Sequence, residues 1–160
     1  MAAIPWHATS GAIALAAAST NKVFMTIQAL DANHRTKITS VGVSFNGVTV
    51  GDTPCLFKIT KGTTNGTTPA AGTSVVSHRS TLDAPAVRSV ISASWATPPA
   101  AGTVIEEFYV HPQTGFKQFY PLGQELILDF SGTTTLGFEI TTGAVITGTV
   151  NATVEVDFEE

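Results

Sequence analysis

Hydrophobic and polar residues alternate along most of the chain with a period of two, which is the pattern of a β-strand with one buried and one solvent-facing side. The longest example is the C-terminal segment 147–158, in which Val154 and Val156 alternate with Glu155 and Asp157. Apolar residues spaced three or four apart, as in an amphipathic helix, are nearly absent. The pattern therefore predicts an all-β protein.

Further short segments have the same strand character along the whole chain. They are 22–30, 37–45, 54–61, 73–79, 87–95, 103–110, 116–120, 124–130 and 135–141. The dipeptide Asn46-Gly47 is a strong hairpin-turn signal, and we expect it to end the strand over 37–45. Eight to ten strands joined by Gly, Pro and Asn turns predict an antiparallel β-sandwich, and a jelly-roll-like arrangement suits that number.

The chain contains no internal repeat and no domain linker. Residues 1–20 are predicted to form an extended N-terminal arm or a first strand, and residues 21–160 a single β-sandwich domain. The small apolar residues 11–19 are similar to the core of a signal peptide, but no lysine or arginine precedes them. An arm or a first strand is therefore the favoured interpretation, and residues 12–18 are suited to adding a strand to a neighbouring sheet edge.

Composition narrows the classes of function. Only 12% of the 160 residues are charged, against roughly 25% in an ordinary soluble domain. Eight Lys and Arg against 12 Asp and Glu cannot supply the basic stripe of a nucleic-acid-binding protein. The 43% of hydrophobic residues argue against disorder, and no apolar run approaches the ~20 residues of a membrane-spanning helix. We expect neither nucleic acid nor a membrane as a partner.

The sequence contains no catalytic signature. The four histidines are far apart, without the close pair typical of a metal site, and they are His7, His34, His78 and His111. There is no Gly-x-Ser-x-Gly turn and no phosphate-binding loop, and the carboxylates are scattered. The single cysteine, Cys55, excludes an internal disulfide framework. We therefore predict no enzymatic activity, no metal site and no cofactor.

Several aromatic and apolar residues are candidates for contacts in an assembly. The candidates are Pro5, Trp6, Ile13, Leu15, Phe116, Phe119 and Tyr120. Two interpretations of the aromatic members stay open. They can cap the core under a loop, or they can form a contact surface, since aromatic residues are enriched at the centres of interfaces.

A group of turn and strand motifs resembles those of small structural proteins of tailed bacteriophages. The motifs are Val43-Ser44-Phe45-Asn46-Gly47, Pro54, Thr63-Thr64-Asn65-Gly66-Thr67, His111-Pro112, Pro121-Leu122-Gly123-Gln124-Glu125, Leu136-Gly137 and Phe158-Glu159-Glu160. Within that group the nearest class is the capsid decoration, or cement, proteins. The resemblance implies a small β-rich trimer on the virion surface, made in the host cytoplasm, which binds the major capsid protein and stabilises the phage head.

Two alternatives remain within the same resemblance. One is a carbohydrate- or receptor-binding module of a phage tail, with Trp6, Trp95, Tyr109 or Tyr120 exposed in a shallow groove. The other is a tail or connector component. The low charge favours some form of assembly in each case, because Thr, Ser and Ala occupy outward strand positions that are ordinarily charged, and such a surface resists association poorly.

Overall fold

The computed structural model describes the chain in twelve ranges. They are 4–15, 21–29, 35–47, 54–62, 67–69, 74–77, 86–93, 95–97, 99–100, 102–129, 135–142 and 150–160. Segments of the predicted strands 73–79, 87–95 and 124–130, and most of the loop between 62 and 72, lie outside these ranges.

The described residues form strands and turns and contain no helix. The strands are β1 (Pro5–Thr9), β2 (Ile13–Ala14), β3 (Asn21–Ala29), β4 (Thr36–Gly47), β5 (Cys55–Gly62), β6 (Thr67–Pro69), β7 (Ser74–Ser77), β8 (Ser89–Ala93), β9 (Trp95–Thr97), β10 (Thr103–Val110), β11 (Phe116–Phe119), β12 (Leu126–Leu128), β13 (Thr135–Thr142) and β14 (Val150–Glu159). Each described strand pair is antiparallel. The predicted all-β, antiparallel architecture is confirmed for these ranges.

The strands form two large sheets and a small one. The first sheet has the order β11-β4-β14-β1-β7, with β12 also paired to β4 and β2 also paired to β14. The second sheet has the order β10-β5-β13-β3-β8, and β6 pairs with β9. Four strand pairs are nested in the sequence, as in one long antiparallel hairpin: β1–β14, β3–β13, β4–β11 and β5–β10. Within the two sheets, β4 also pairs with β14, and β5 also pairs with β13.

Strand β14 lies inside the first sheet and is paired along both edges. Its residues alternate between buried and partly exposed, and the buried ones are Val150, Ala152, Val154, Val156 and Phe158. Strand β4 pairs with it from Val150↔Gly47 to Glu159↔Lys37 on one side. The strict alternation in the sequence therefore corresponds to one face against the core and one face toward solvent.

The N-terminal residues occupy the other side of β14. Strand β1 pairs with β14 and with β7, and β2 pairs with β14 further along. Between these two strands Ser10 continues the hydrogen bonding to β14, because its Oγ accepts a 3.0 Å hydrogen bond from the buried Val154 amide. Residues 5–9 and 13–14 thus lie within the first sheet as β1 and β2, and residues 1–3 and 16–20 of the predicted N-terminal segment lie outside the described ranges.

One expected turn is wrong. Asn46 and Gly47 do not end their strand, since β4 continues through both, with Asn46 opposite Asn151 and Gly47 opposite Val150. Cross-strand hydrogen bonds to β14 outweigh the local turn preference of this dipeptide. Strand β4 also contains a bulge at Thr39, where the pairing steps from Asp157↔Ser40 to Phe158↔Ile38.

One cluster of buried side chains draws on both large sheets. The fully buried members with the largest volume include Phe24, Phe57 and Phe138 of the second sheet and Phe158 of the first. A buried hydrogen bond also joins the sheets, 2.7 Å between the hydroxyls of Thr36 and Ser89. This bond gives each of the two buried hydroxyl groups a hydrogen-bond partner.

The turn between β10 and β11 generates a prediction about stability. Gly115 has a φ of +67°, and a Cβ there would lie 2.8 Å from the Val43 carbonyl oxygen. Gly123 has a φ of +85° with open space around it. We expect Gly123→Ala to cost roughly 1–2 kcal/mol from backbone strain alone, and Gly115→Ala to cost clearly more because it adds a clash.

Urea unfolding of both variants measures the difference. Equal losses of unfolding free energy would show that the close approach at Val43 is unimportant.

Candidate functional site

Strands β10, β11 and β12 occupy one side of the molecule. Strand β10 is the last strand of the second sheet, and β11 and β12 form the last position of the first sheet beside β4. A tight turn joins β10 to β11, with the Thr114 and Gly115 amides donating to the His111 carbonyl oxygen at 3.1 and 3.2 Å. The chain therefore passes from one sheet to the other at this side.

Inward-facing side chains close the gap between the two sheet edges. The Phe108 ring of β10 lies against the Phe116 ring of β11, with 4.8 Å between centroids. The Tyr120 hydroxyl donates a 2.7 Å hydrogen bond to Glu106 Oε2. Burial raises the pKa of Tyr120, and the hydrogen bond to Glu106 and its charge raise it further. The phenol therefore stays protonated and can only act here as a donor to Glu106.

The outward side of the same segment carries exposed apolar side chains. All the large hydrophobic residues that are exposed in the described part of the chain fall within residues 104–127, and Leu122 and Tyr109 are 95% and 77% exposed. We name the six residues the edge strip: Val104, Ile105, Tyr109, Phe119, Leu122 and Ile127. Exposed apolar residues scattered singly are ordinary, and a contiguous patch marks a contact surface, so the edge strip is a candidate surface because its residues fall within one segment of the chain.

Strand β10 is an edge strand of the second sheet. It is eight residues long and contains neither proline nor lysine, but it carries Glu106 and Glu107. In the described part of the chain it pairs with β5 and with no second strand. A bulge between Val104 and Glu106 places Ile105 out of register. Charges and bulges are among the features by which natural proteins protect such an edge, so β10 is a partly protected edge strand.

A polar network lies beside the edge strip on the outer face of the first sheet. The carboxylate of Asp157 on β14 is its centre. Its Oδ1 accepts a 2.7 Å hydrogen bond from His7 Nδ1, and its Oδ2 accepts one of 2.6 Å from the Ser40 hydroxyl. Lys117 Nζ lies 3.4 Å from the same Oδ2 and 5.1 Å from the centroid of the Phe119 ring. The network thus ties β1, β4 and β11 to β14.

The electrostatics of this network favour the ionised carboxylate. Partial burial raises the pKa of Asp157, but the hydrogen bonds from Ser40 and His7 and the charge of Lys117 lower it more, so the net pKa lies below the ordinary value. Ser40 and His7 both bond to the carboxylate and not to each other. The geometry is therefore that of a structural tie and differs from a nucleophile activated by a histidine.

The residues predicted as assembly contacts lie in three different environments in the structure: the core, half-buried positions and the exposed surface. Trp6 and Leu15 belong to the core cluster, with only 6% of Trp6 exposed. The half-buried candidates, each packed on the core or in β1, are Pro5, Ile13, Phe116 and Tyr120. Phe119 is 65% exposed and belongs to the edge strip. Phe116 and Tyr120 thus fit the core-capping interpretation, and a contact role for the exposed Phe119 stays a prediction.

Four of the six edge-strip residues are not among the candidates that the sequence predicts, namely Val104, Ile105, Leu122 and Ile127. Val104 has the alternation of the inward-facing Glu106, Phe108 and Val110, and the bulge turns it outward, whereas Ile105 alternates with the exposed Glu107 and Tyr109. Leu122 offered the one usable signal, because it is a large apolar residue between Pro121 and Gly123 in a turn, where no core position is expected.

Other chemistry is sparse among the residues that the structure describes. No three His, Cys, Asp or Glu side chains in these ranges group closely enough to hold a metal ion. Cys55 is a buried free cysteine, and burial raises the pKa of its thiol. Within the same ranges no helix has the length and hydropathy to cross a membrane. His34 and His78 lie outside the described ranges.

Comparison with known proteins adds no relative. No protein-family model, no curated protein and no solved structure matches this chain.

Because Trp6 is buried and Phe119 is exposed, truncating these two side chains should change the free energy of unfolding by unequal amounts. We expect Trp6→Ala to lower the free energy of unfolding by about 3–5 kcal/mol, because it leaves a cavity in the core. We expect Phe119→Ala to change it by less than about 1 kcal/mol, since the ring is largely in solvent. Denaturant unfolding of both variants under dilute conditions measures this, and a similar loss in both would contradict the assignment.

The Asp157 network predicts sensitivity to acid. Because the pKa of Asp157 is lower in the folded than in the unfolded protein, the unfolded state binds more protons between the two pKa values. The stabilisation is therefore present above the unfolded value near 4 and is lost as the pH falls through the lower folded value.

We expect Asp157→Asn to flatten this part of the stability curve, as measured by urea unfolding between pH 2 and pH 6. Glu159→Gln, on the same strand and face, is the matched control. An unchanged pH dependence in Asp157→Asn would contradict the role of the carboxylate.

Proposed function

We propose that this chain is a non-enzymatic structural protein of a phage virion, a capsid decoration protein that self-associates as a trimer and binds the major capsid protein on the outside of the head. In this proposal the described sheets are the two layers of a jelly-roll β-sandwich. The edge strip is the surface through which the protein makes its assembly contacts.

The observation that carries the proposal is the confinement of exposed large hydrophobic residues to residues 104–127. These residues cannot be buried by their own sheets, because the inward side of β10 and β11 is already filled by Phe108, Phe116 and Tyr120. In this proposal another chain buries them. Permanent interfaces are more apolar than the rest of a protein surface, which fits this arrangement.

The low charge supports the same function. Repulsion between like charges keeps soluble proteins apart, and a chain with 12% charged residues and a net charge of −4 has little of it. A protein that works while bound in a lattice does not need such protection.

The nested strand order supports the jelly-roll interpretation. Strands β1, β14, β4 and β11 lie in one sheet, and strands β3, β13, β5 and β10 lie in the other. A long antiparallel hairpin that is rolled up alternates its strands between two layers in this way. The single buried cluster with members from both sheets fits two layers around one core.

The carbohydrate- or receptor-binding alternative retains one supporting observation. Of the aromatic residues proposed for sugar stacking, Tyr109 is 77% exposed, whereas Trp6 is buried and Tyr120 is half-buried and bonded to Glu106. The side chain of Trp95 lies outside the description. A glycan array tests this alternative directly, and binding that is lost in Tyr109→Ala would favour it over decoration.

The decoration proposal is tested on empty shells assembled from the major capsid protein of the virus that carries this sequence. We expect the purified chain to bind at a fixed number of copies per shell and to raise the temperature at which the shells rupture. The triple variant Val104→Thr, Ile105→Thr and Tyr109→Ser should bind at least about tenfold more weakly, which corresponds to about 1.4 kcal/mol.

The matched control is Ser44→Ala with Thr153→Ala, two polar positions that lie opposite each other on the first sheet away from the edge strip. This control should bind like the wild type. A chain that does not co-sediment with shells, or a triple variant that binds as well as the control, would overturn the proposal as stated.

A further inference from the structure

We infer that the turn formed by Pro121, Leu122, Gly123 and Gln124 is a preformed anchor, which inserts the Leu122 side chain into an uncharged apolar pocket of the major capsid protein. The inference deepens the proposed function, on which it rests, by naming the residue that makes a contact with the shell. The observation behind it is a leucine that is 95% exposed on a turn whose backbone is held by hydrogen bonds of its own chain.

The turn projects from the edge of the first sheet. Strand β11 ends opposite Ser40 of β4, and β12 begins opposite Ile38. Residues 120–125 therefore stand beside the one β4 residue between these two positions, Thr39. They cannot all lie along the strand, so the chain leaves the sheet edge and returns to it, with Leu122 in the projecting part.

Hydrogen bonds within the chain fix the backbone of the turn. The Gln124 amide donates to the Pro121 carbonyl oxygen at 2.9 Å, which closes the turn. Gly123 has a φ of +85°, as the third residue of a type II turn requires, and its amide donates a 2.7 Å hydrogen bond to Glu125 Oε2. The position of Leu122 is thus set before a partner binds, and a preorganised contact loses less conformational entropy on binding.

The turn can be buried with only one backbone amide losing its water. The Gly123 and Gln124 amides are already bonded within the chain, and Pro121 has no amide hydrogen. Within the described segment 120–124, the Leu122 amide is the one amide without a hydrogen bond. Because burial of an unbonded amide costs free energy, we expect the pocket to offer one hydrogen-bond acceptor beside its apolar wall.

The projecting segment is also free of charge. No Asp, Glu, Lys or Arg occurs between Lys117 and Glu125 in the sequence. Phe119 and Ile127, on the strands that flank the turn, are exposed and apolar. The Lys, Asp and Glu residues of the first sheet stand on its strands and not on the turn, and they are Lys37, Lys117, Glu155, Asp157 and Glu159. The complement of the turn is therefore an uncharged, apolar pocket.

The size of the turn decides between a second copy and the shell as the occupant. A stable interface buries about 800 Å² on each protein, from about 20–30 residues. A turn of this length cannot supply that area, so it does not hold two copies together by itself. It suits an anchor within a larger contact, and the three turns of a trimer bind one lattice with a high effective concentration.

The first test removes the apolar side chain from the turn. We expect Leu122→Ser to bind empty capsid shells roughly tenfold to a hundredfold more weakly than the wild type, since burial of a leucine accounts for a factor of that order. Leu122→Met keeps an apolar side chain and should retain most of the binding. Gln124→Ala, which removes an exposed polar side chain of the same turn, is the matched control and should bind like the wild type.

Co-sedimentation over a range of shell concentrations measures these affinities, and thermal unfolding verifies that each variant is folded. Equal binding by Leu122→Ser and the control would overturn the inference.

The second test keeps Leu122 and strains the backbone that presents it. A Cβ at Gly123 meets no atom within 4 Å, so Gly123→Ala introduces no clash within the chain. We expect this variant to bind shells at least about fivefold more weakly, because the turn is no longer held in its binding conformation. Binding at the wild-type level would overturn the claim that the turn is preformed.

Mass in solution identifies a second copy as the occupant. In the absence of shells, sedimentation should give the same number of copies for the wild type and for Leu122→Ser. A lower number for the variant would mean that Leu122 contacts another copy of this chain, and would overturn the inference.

The outcomes separate this inference from the proposed function. A wild type that ignores shells overturns decoration and the anchor together. A wild type that binds shells no better than Leu122→Ser overturns the anchor and leaves decoration standing. Weaker binding by Leu122→Ser and by Gly123→Ala, with an unchanged number of copies, supports both.

Discussion

The double pairing of β14 is the constraint on which the rest of the described structure depends. Its backbone is paired by β4 on one side and by β1 and β2 on the other, and its inward side chains contribute to the core along its whole length. Because both edges and one face of β14 are in contact with other parts of the protein, only its outer face is left for other contacts. On that face Asp157 contacts His7, Ser40 and Lys117. Residues 4–15 are therefore held beside β14 within the sheet.

The edges of the two large sheets meet at the side of the molecule formed by β10, β11 and β12. The inward residues of β10 and β11 fill the gap between these edges, with Phe108 against Phe116 and Tyr120 bonded to Glu106. The apolar residues on the outward side remain exposed, although Lys117 Nζ lies 5.1 Å from the centroid of the Phe119 ring. The low charge of the chain does not compensate for them, so the same side that completes the core also exposes the surface through which assembly is proposed.

The candidate contact residues show how far local sequence can identify a surface. Trp6, beside proline and histidine near the N-terminus, has the composition of a contact residue, yet it pairs opposite Phe158 in the core. Val104 alternates with the inward-facing Glu106, Phe108 and Val110, yet a bulge displaces it to the surface. In both cases the side chain's environment depends on register with a strand distant in sequence, and periodicity along one strand contains no information on that register.

The sequence by itself determined that this is an antiparallel all-β protein, since period-two alternation and Gly, Pro and Asn turns permit little else. It also determined the low charge that favours association. Only the tertiary structure decided that β4 includes Asn46 and Gly47 and that residues 4–15 lie beside β14. These features depend on pairings between residues more than a hundred positions apart, whose cross-strand hydrogen bonds and shared core outweigh local preference.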